Sequence, residues 1–201
     1  MPSLRSLVAT LTEAVRAALS DSAPHWSRWI FLDLTGRAAE VVDHGARRRR
    51  GLLQAPRGEG NRVVFGRGSR FRGTVTITGS GNLVEFGDDC RFRGRIRVEG
   101  DGQTVRFGAG STAGDVYILC AEGCDVIIGR ACMISREVEI RTSDAHSVVD
   151  RATGRRLNPA RSITIGDHVW MGVRSVVSKG AVVPDDCVGG AMGMGNRAVA
   201  A

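Results

Sequence analysis

Residues 63–87 read VVFGRGSRFRGTVTITGSGNLVEFG, and the Val-x-Phe-Gly phrase that opens and closes this stretch returns at 105–108 and, as V-I-I-G, at 126–129. The Phe-Gly or Ile-Gly pairs therefore start at 65, 86, 107 and 128, 21 residues apart each time. Other columns keep the same interval: Val63, Val84, Val105 and Val126; Ile77, Val98, Leu119 and Ile140; Ser69, Cys90, Ser111 and Cys132. Identity by column at a fixed period means stacked equivalent units, each covering the apolar face of its neighbour. A plain β sandwich would show alternation and turns without such columns, and the apolar positions do not follow the period of a helix.

Inside a unit the large apolar residues recur every six positions, as in Phe65, Phe71 and Ile77, and the residue four beyond is small or β-branched, as in Ser69 and Val75. Three hexads plus three further residues complete the 21. Hexads of this kind predict short flat strands joined by tight corners, one large aliphatic or aromatic side chain pointing inward per side, and glycine where a corner needs positive φ. The expected fold is an all-β solenoid, a parallel β-helix. Beyond residue 164 the hexads resume without the extra three residues, at Ile165, Met171, Val177, Val183 and Gly189.

The N-terminal part reads differently. Residues 3–20 place Leu4, Leu7, Val8, Leu11, Val15, Ala18 and Leu19 on one helical stripe with Ser3 as N-cap. Such a helix, with Trp26, Trp29, Ile30, Phe31 and Leu32 beside it, is expected to cap the open end of the first coil. Residues 43–60, with the run Arg47–Arg50 and several glycines, read as a linker with a solvated basic stretch. The chain thus divides into a helical cap and linker at 1–60 and a β-helix domain at 61–201.

Composition narrows the function. The net charge of +7 and the pI near 10.1 come almost wholly from arginine, since Lys179 is the one lysine among 28 basic residues. No nucleic-acid motif or aromatic interleaving accompanies them, so the basic surface is expected to meet anionic small molecules rather than DNA or RNA. Five cysteines, at 90, 120, 124, 132 and 187, show no Cys-x-x-Cys spacing and read as reduced, buried spacers of a cytoplasmic protein. Cys120 and Cys124 in particular are read as buried spacers rather than thiol nucleophiles. No stretch approaches a membrane span.

Counting hexads past Ile128, Ile134 and Ile140 puts the next position at His146. There the three-residue corner is replaced by nineteen residues, 146–164, so a polar loop on a rigid stack begins at a histidine. The segments S-D-A-H-S-V-V-D at 143–150, G-R-R-L-N-P-A-R at 154–161 and I-T-I-G-D-H-V-W-M-G at 163–172 resemble the hexapeptide-repeat acyltransferases, in particular the branch of maltose, galactoside and capsular-polysaccharide O-acetyltransferases. That resemblance implies a left-handed coil, a homotrimer with sites between subunits, and transfer of an acetyl or other short acyl group from acyl-coenzyme A, acetyl-CoA first, to a sugar-like hydroxyl. It implies His146 as general base, a task suited to imidazole because its ordinary pKa of about 6.5 lies near neutrality. Asp144 and Asp150 are the carboxylates available to orient it.

The same resemblance implies that Trp170, Gly172 and Val173 line the thioester groove, with a backbone N–H near Val173 facing the oxyanion. Arg174 and Lys179 would approach the coenzyme phosphates. Relatives often carry an acceptor-binding Asn one coil before the histidine; here the chain reads G-D-V-Y-I, so Asp115 or Tyr117 would take that place, with Asn158 and His168 on the acceptor side. No metal is expected. Two rival classes are a non-catalytic trimeric scaffold and a zinc enzyme of the γ-carbonic-anhydrase type, which needs three converging histidines.

Overall fold

The structure is a computed structural model that describes residues 38–189 and the backbone of a short strand at 31–33. It is a parallel solenoid. One sheet contains β1 (Phe31–Asp33), β3 (Arg48–Arg57), β5 (Arg70–Thr78), β7 (Arg91–Glu99), β9 (Thr112–Ala121), β11 (Met133–Arg141), β13 (Trp170–Met171), β14 (Val176–Ser178) and β16 (Val188–Gly189). The other contains β2 (Ala39–Asp43), β4 (Asn61–Phe65), β6 (Leu83–Phe86), β8 (Thr104–Phe107), β10 (Val126–Ile128), β12 (Ile163–Ile165) and β15 (Val182–Val183). β11 pairs with β13 through Met133 and Ile134 and with β14 through Glu139–Arg141, so one long strand spans two sides of a coil. The expected β-helix is present.

The repeat columns are steric in origin. Phe65 and Phe86 stack with centroids 5.2 Å apart and planes 7° apart, Phe71 and Phe92 stack at 5.7 Å, and the two stacks meet edge to face, as in Phe71 against Phe86 at 5.1 Å. Such offset contacts add to the burial of the rings themselves. The glycine after each inward residue has no room for a side chain: a Cβ on Gly108 would lie 2.1 Å from the carbonyl oxygen of Gly129 on the next coil. Val63, Val84, Val105 and Val126 are fully buried, and after the loop so are Ile165, Met171, Val177 and Val183.

A second ladder inside the corners is polar. Asn61, Asn82 and Gln103 are buried. The Oδ1 of Asn61 accepts from the Asn82 backbone N–H at 3.0 Å, and that of Asn82 accepts from the Gln103 backbone N–H at 2.9 Å. These amides satisfy backbone groups that turn away from the sheets. Their 21-residue spacing was visible in the sequence, and only the emphasis on apolar columns hid it.

Three expectations change. Residues 43–60 are not a linker: β2 and β3 pair in parallel with β4 and β5, and Leu53 and Ala55 are buried. The coil is disguised because Asp43 stands level with Phe65 and Arg49 level with Phe71. Asp43 and Arg49 form an ion pair at 3.1 Å, and the Arg49 guanidinium lies 5.6 Å from the Phe65 ring centroid, so a charged pair takes the place of two core rings in this coil. Arg50, read as solvated, is buried in β3. The helix expected over residues 3–20 lies outside the described residues.

The third change concerns register. Between Phe92 and Gly94 on β7, the partner on β9 slips by one residue, from Ala113 to Val116. β11 slips again against β9, between Arg136 and Val138, where Glu137 adopts φ 58°. Val98 is therefore level with Cys120 rather than Leu119, and Ile140 is level with Ile118. Ala121 is level with Glu99 and Val126 with Val105, so the chain takes five steps where the coil before takes six, which restores the 21-residue period at Val126.

Candidate active site

The inserted loop starts earlier than the hexad count expects. β11 ends at Arg141 and β12 begins at Ile163, so the loop starts before residue 146 and His146 stands inside it rather than at its head. Thr142 and Ser143, both buried, tie its root to the coil below: the Thr142 hydroxyl accepts from Ala121 N–H at 2.8 Å, and the Ser143 hydroxyl donates to Glu122. Glu122 also receives Arg156 from the loop's returning limb, with Nη2 at 3.1 Å from Oε1. Arg156 and the Ser143 hydroxyl hold the Glu122 carboxyl below its usual range.

Around His146 a single side chain does most of the fastening. The Asn158 Oδ1 accepts from Val148 N–H at 2.6 Å, while its Nδ2 donates to the His146 carbonyl and to Asp144 Oδ2, each at 2.8 Å. Lys179, entering from the coil above, donates to Asp144 and to the Asn158 carbonyl at 3.2 Å. Lys179 and Asn158 together push the Asp144 carboxyl below the ordinary aspartate value. The backbone at and just after His146 and the Asp144 side chain before it are thereby pinned, while the histidine itself is exposed. Among the described residues nothing hydrogen-bonds its imidazole within one chain.

Asp150 sits elsewhere. Its Oδ1 accepts from Ala152 N–H at 2.9 Å, from Thr153 N–H at 2.8 Å and from the Thr153 hydroxyl at 2.9 Å, closing the loop's turn beside the Val149–Arg156 bridge. Those donors, Thr153 first, lower its pKa. Its carboxylate caps the turn rather than the imidazole. Asn158 and Lys179, expected on the acceptor and coenzyme sides, are likewise bound into the frame of the loop.

The residues expected to meet the thioester form a separate patch. Trp170 is half exposed and lies level with Met133 and Val188, themselves exposed, giving an outward apolar ridge of three side chains on neighbouring coils. Gly172 N–H is taken by the Gly189 carbonyl at 2.8 Å, whereas the Val173 N–H has no acceptor among the described residues. Arg174 donates to Glu137 at 2.7 Å. His168, at φ 55°, places Nδ1 3.4 Å from Asp186 Oδ1 on the surface.

Asp115 and Tyr117 line a cavity of about 370 Å³ with Arg95, Glu137, Val138 and Glu139. It opens at the β9 bulge, and neither His146 nor Trp170 lines it. One chain thus presents three separate groups: the His146 loop, the Trp170–Val173 patch and the Asp115–Tyr117 cavity. Glu122, Ser143 and Arg156 were missed by sequence reasoning, because the 21-residue columns run unbroken past Glu122 and give no sign of the shortened corner. Burial pushes the Cys90 and Cys120 thiols up to about 12, which removes both as thiolate nucleophiles near neutral pH. No group of three or more His, Cys, Asp or Glu among the described residues is arranged to hold a metal ion.

No protein-family model matches the chain. It is 36% identical over 72 residues to the polysialic acid O-acetyltransferase of Neisseria meningitidis, and 37% identical over 70 residues to that of Escherichia coli O1:K1 / APEC. These matches span 36% and 35% of this chain, but only 34% and 23% of the relatives' length. Among solved structures, the polysialic acid O-acetyltransferase OatWY matches at a TM-score of 0.67 and 19% identity, covering 85% of this chain and 87% of that one. The polySia-specific acetyltransferase NeuO matches at 0.58 and 24%, covering 86% and 85%. The chain thus shares the fold of these two solved structures. Over the matched stretches its sequence is similar to the polysialic acid O-acetyltransferases.

Proposed function

We propose that the protein is an O-acyltransferase that moves an acetyl group from acetyl-CoA to a hydroxyl of an acidic polysaccharide, in a trimer of left-handed coils. The observation that carries the reading is the pinned loop: an exposed histidine whose carbonyl, with the Val148 N–H and the Asp144 carboxylate, is held by Asn158 on a rigid stack, in a chain similar to named O-acetyltransferases. His146 takes the proton of the acceptor hydroxyl, and the oxygen attacks the thioester carbonyl. The Val173 N–H donates to the oxyanion as it forms. The C–S bond then breaks, the ester is released, and the imidazolium returns its proton to the departing thiolate. No covalent enzyme intermediate is needed.

The trimer supplies what one chain lacks. The exposed Met133–Trp170–Val188 ridge is the kind of surface that a neighbouring subunit covers, and the cleft so formed would bring one chain's His146 to another's Trp170 and Val173. A purified sample is mixed with acetyl-CoA and a polymer of sialic acid, and thiol release and mass gain are followed. Transfer is expected, with His146→Ala slower by about 100-fold or more, the scale of a general base. Unchanged turnover in that variant would remove His146 from the mechanism.

A further inference from the structure

Strand β7 reads R-F-R-G-R-I-R-V-E, and its alternation exposes Arg91, Arg93, Arg95 and Arg97 while burying Phe92, Gly94, Ile96 and Val98. The register then sets like against like. Arg91 pairs with Arg70 and Arg70 with Arg48; Arg93 pairs with Arg72 and Arg72 with Arg50. Strands lie about 4.8 Å apart, and like charges directly opposite each other destabilise a sheet. The second sheet avoids this arrangement. There Arg62 faces Glu40 at 3.2 Å and Arg106 faces Glu85 at 2.8 Å, each a neutralised cross-strand pair.

On the arginine face Arg97 pairs with Glu99, but Arg70, Arg91 and Arg93 have no carboxylate partner among the described residues. Two adjoining hollows open there. One, of about 250 Å³, is lined by Arg72, Gly73, Arg93, Gly94, Arg95 and Asp115. The other is the cavity of Tyr117, and the two share Arg95 and Asp115. The Arg95 guanidinium lies 5.5 Å from the Tyr117 ring centroid, joining the basic ladder to the one tyrosine of the chain.

We propose that this face is a docking groove for a polysaccharide carrying carboxylates along its length, separate from the loop that does the chemistry. The inference rests on the acceptor reading above and deepens it by locating where the polymer lies. Guanidinium forks match carboxylates in a bidentate way that a point charge does not. The ladder presents them in successive rows, and Tyr117 offers a ring for the apolar side of a sugar at the groove's end. A single-stranded nucleic acid would call for several stacking aromatics along the track, and this groove holds Tyr117 alone.

The test measures binding without any acyl donor. The full chain is titrated with a fluorescent, size-defined polymer of sialic acid, with neutral dextran and with single-stranded DNA of equal charge, at low and moderate salt. The polymer is expected to bind, more weakly as salt rises, with dextran silent and DNA weaker. Arg70→Ser/Arg91→Ser/Arg93→Ser is expected to lose at least about tenfold in affinity, since each neutralised contact contributes to a salt-dependent polyanion complex. Arg62→Ser/Arg67→Ser/Arg106→Ser removes the same charge from the rest of the surface and is expected to bind nearly as the parent does. Circular dichroism checks the fold, and Arg93→Glu alone replaces the triple variant if that one misfolds. No binding by the parent chain, equal losses in both triple variants, or DNA bound as tightly as the polymer would each overturn the groove. Binding with no acetyl transfer would instead overturn the acyltransferase reading and leave the groove standing.

Discussion

The coils up to Phe107 and those after it follow one hexad rhythm, yet they are finished differently. The early coils repeat their register over three strands of phenylalanine, valine and glycine, with outward charges arranged in rows. The later ones carry a slipped register, a long loop and an outward apolar ridge. Regularity supplies stiffness and a repeating surface, whereas each break in it places a chemical group: the bulge opens the Tyr117 cavity, and the stretched corner lifts His146.

The largest effect is expected in the regular half. Phe86 is buried between Phe65, Phe71 and Phe92, so Phe86→Ala should cost about 3–5 kcal/mol, the range for a truncated core aromatic. Denaturant unfolding measures it, and a loss below about 1 kcal/mol would mean that the aromatic stack is not the solenoid's keystone. Next comes Gly108→Ala, whose Cβ would meet the neighbouring coil's backbone; about 1–3 kcal/mol is expected, as for overpacking. The irregular half should respond in activity instead. Asn158→Ala frees backbone at both Val148 and His146, and is expected to lower transfer by about 10-fold or more through kcat, with little change in melting temperature. A fall confined to KM for the acceptor would return Asn158 to the substrate.

Acid should loosen the loop before the stack. The folded pKa of Asp144 lies below 3.8, so the stabilisation from its Lys179 and Asn158 contacts is fully present above that value and is lost as pH falls through the lower, folded one. Hydrogen exchange across the loop is expected to quicken below about pH 3.8 while the β5–β7 amides stay protected. Equal quickening in both regions would show that loop and stack open together. The smallest effect concerns thiols: at pH 8 a maleimide or disulfide reagent should reach Cys124, half-buried in its corner, before Cys90 or Cys120, whose thiols are buried and pushed up to about 12.

What the sequence disclosed follows the same division. The Phe-Gly columns were legible because every coil poses the same steric problem and solves it with the same residues. The coil at 38–57 was not, because Asp43 and Arg49 occupy the places of Phe65 and Phe71, and an ion pair leaves no apolar trace in a hexad count. The hexad count led to His146 but set the loop's start there, whereas β11 ends at Arg141 and the loop begins directly after it. The partner of Asp144 was beyond reach of local reading, since Lys179 lies 35 residues downstream and only the stacking of coils brings the two together.

The 21-residue period also makes the molecule a measuring rod. A coil duplicated or excised as a whole block, for instance 66–86, would leave every glycine beneath a neighbour's carbonyl and every phenylalanine on its stack. Each added block would lengthen the arginine rows by one strand spacing of about 4.8 Å, while the His146 loop, between β11 and β12, kept its own geometry. The reach of the surface and the chemistry of the loop are in that sense independently adjustable parts of one chain.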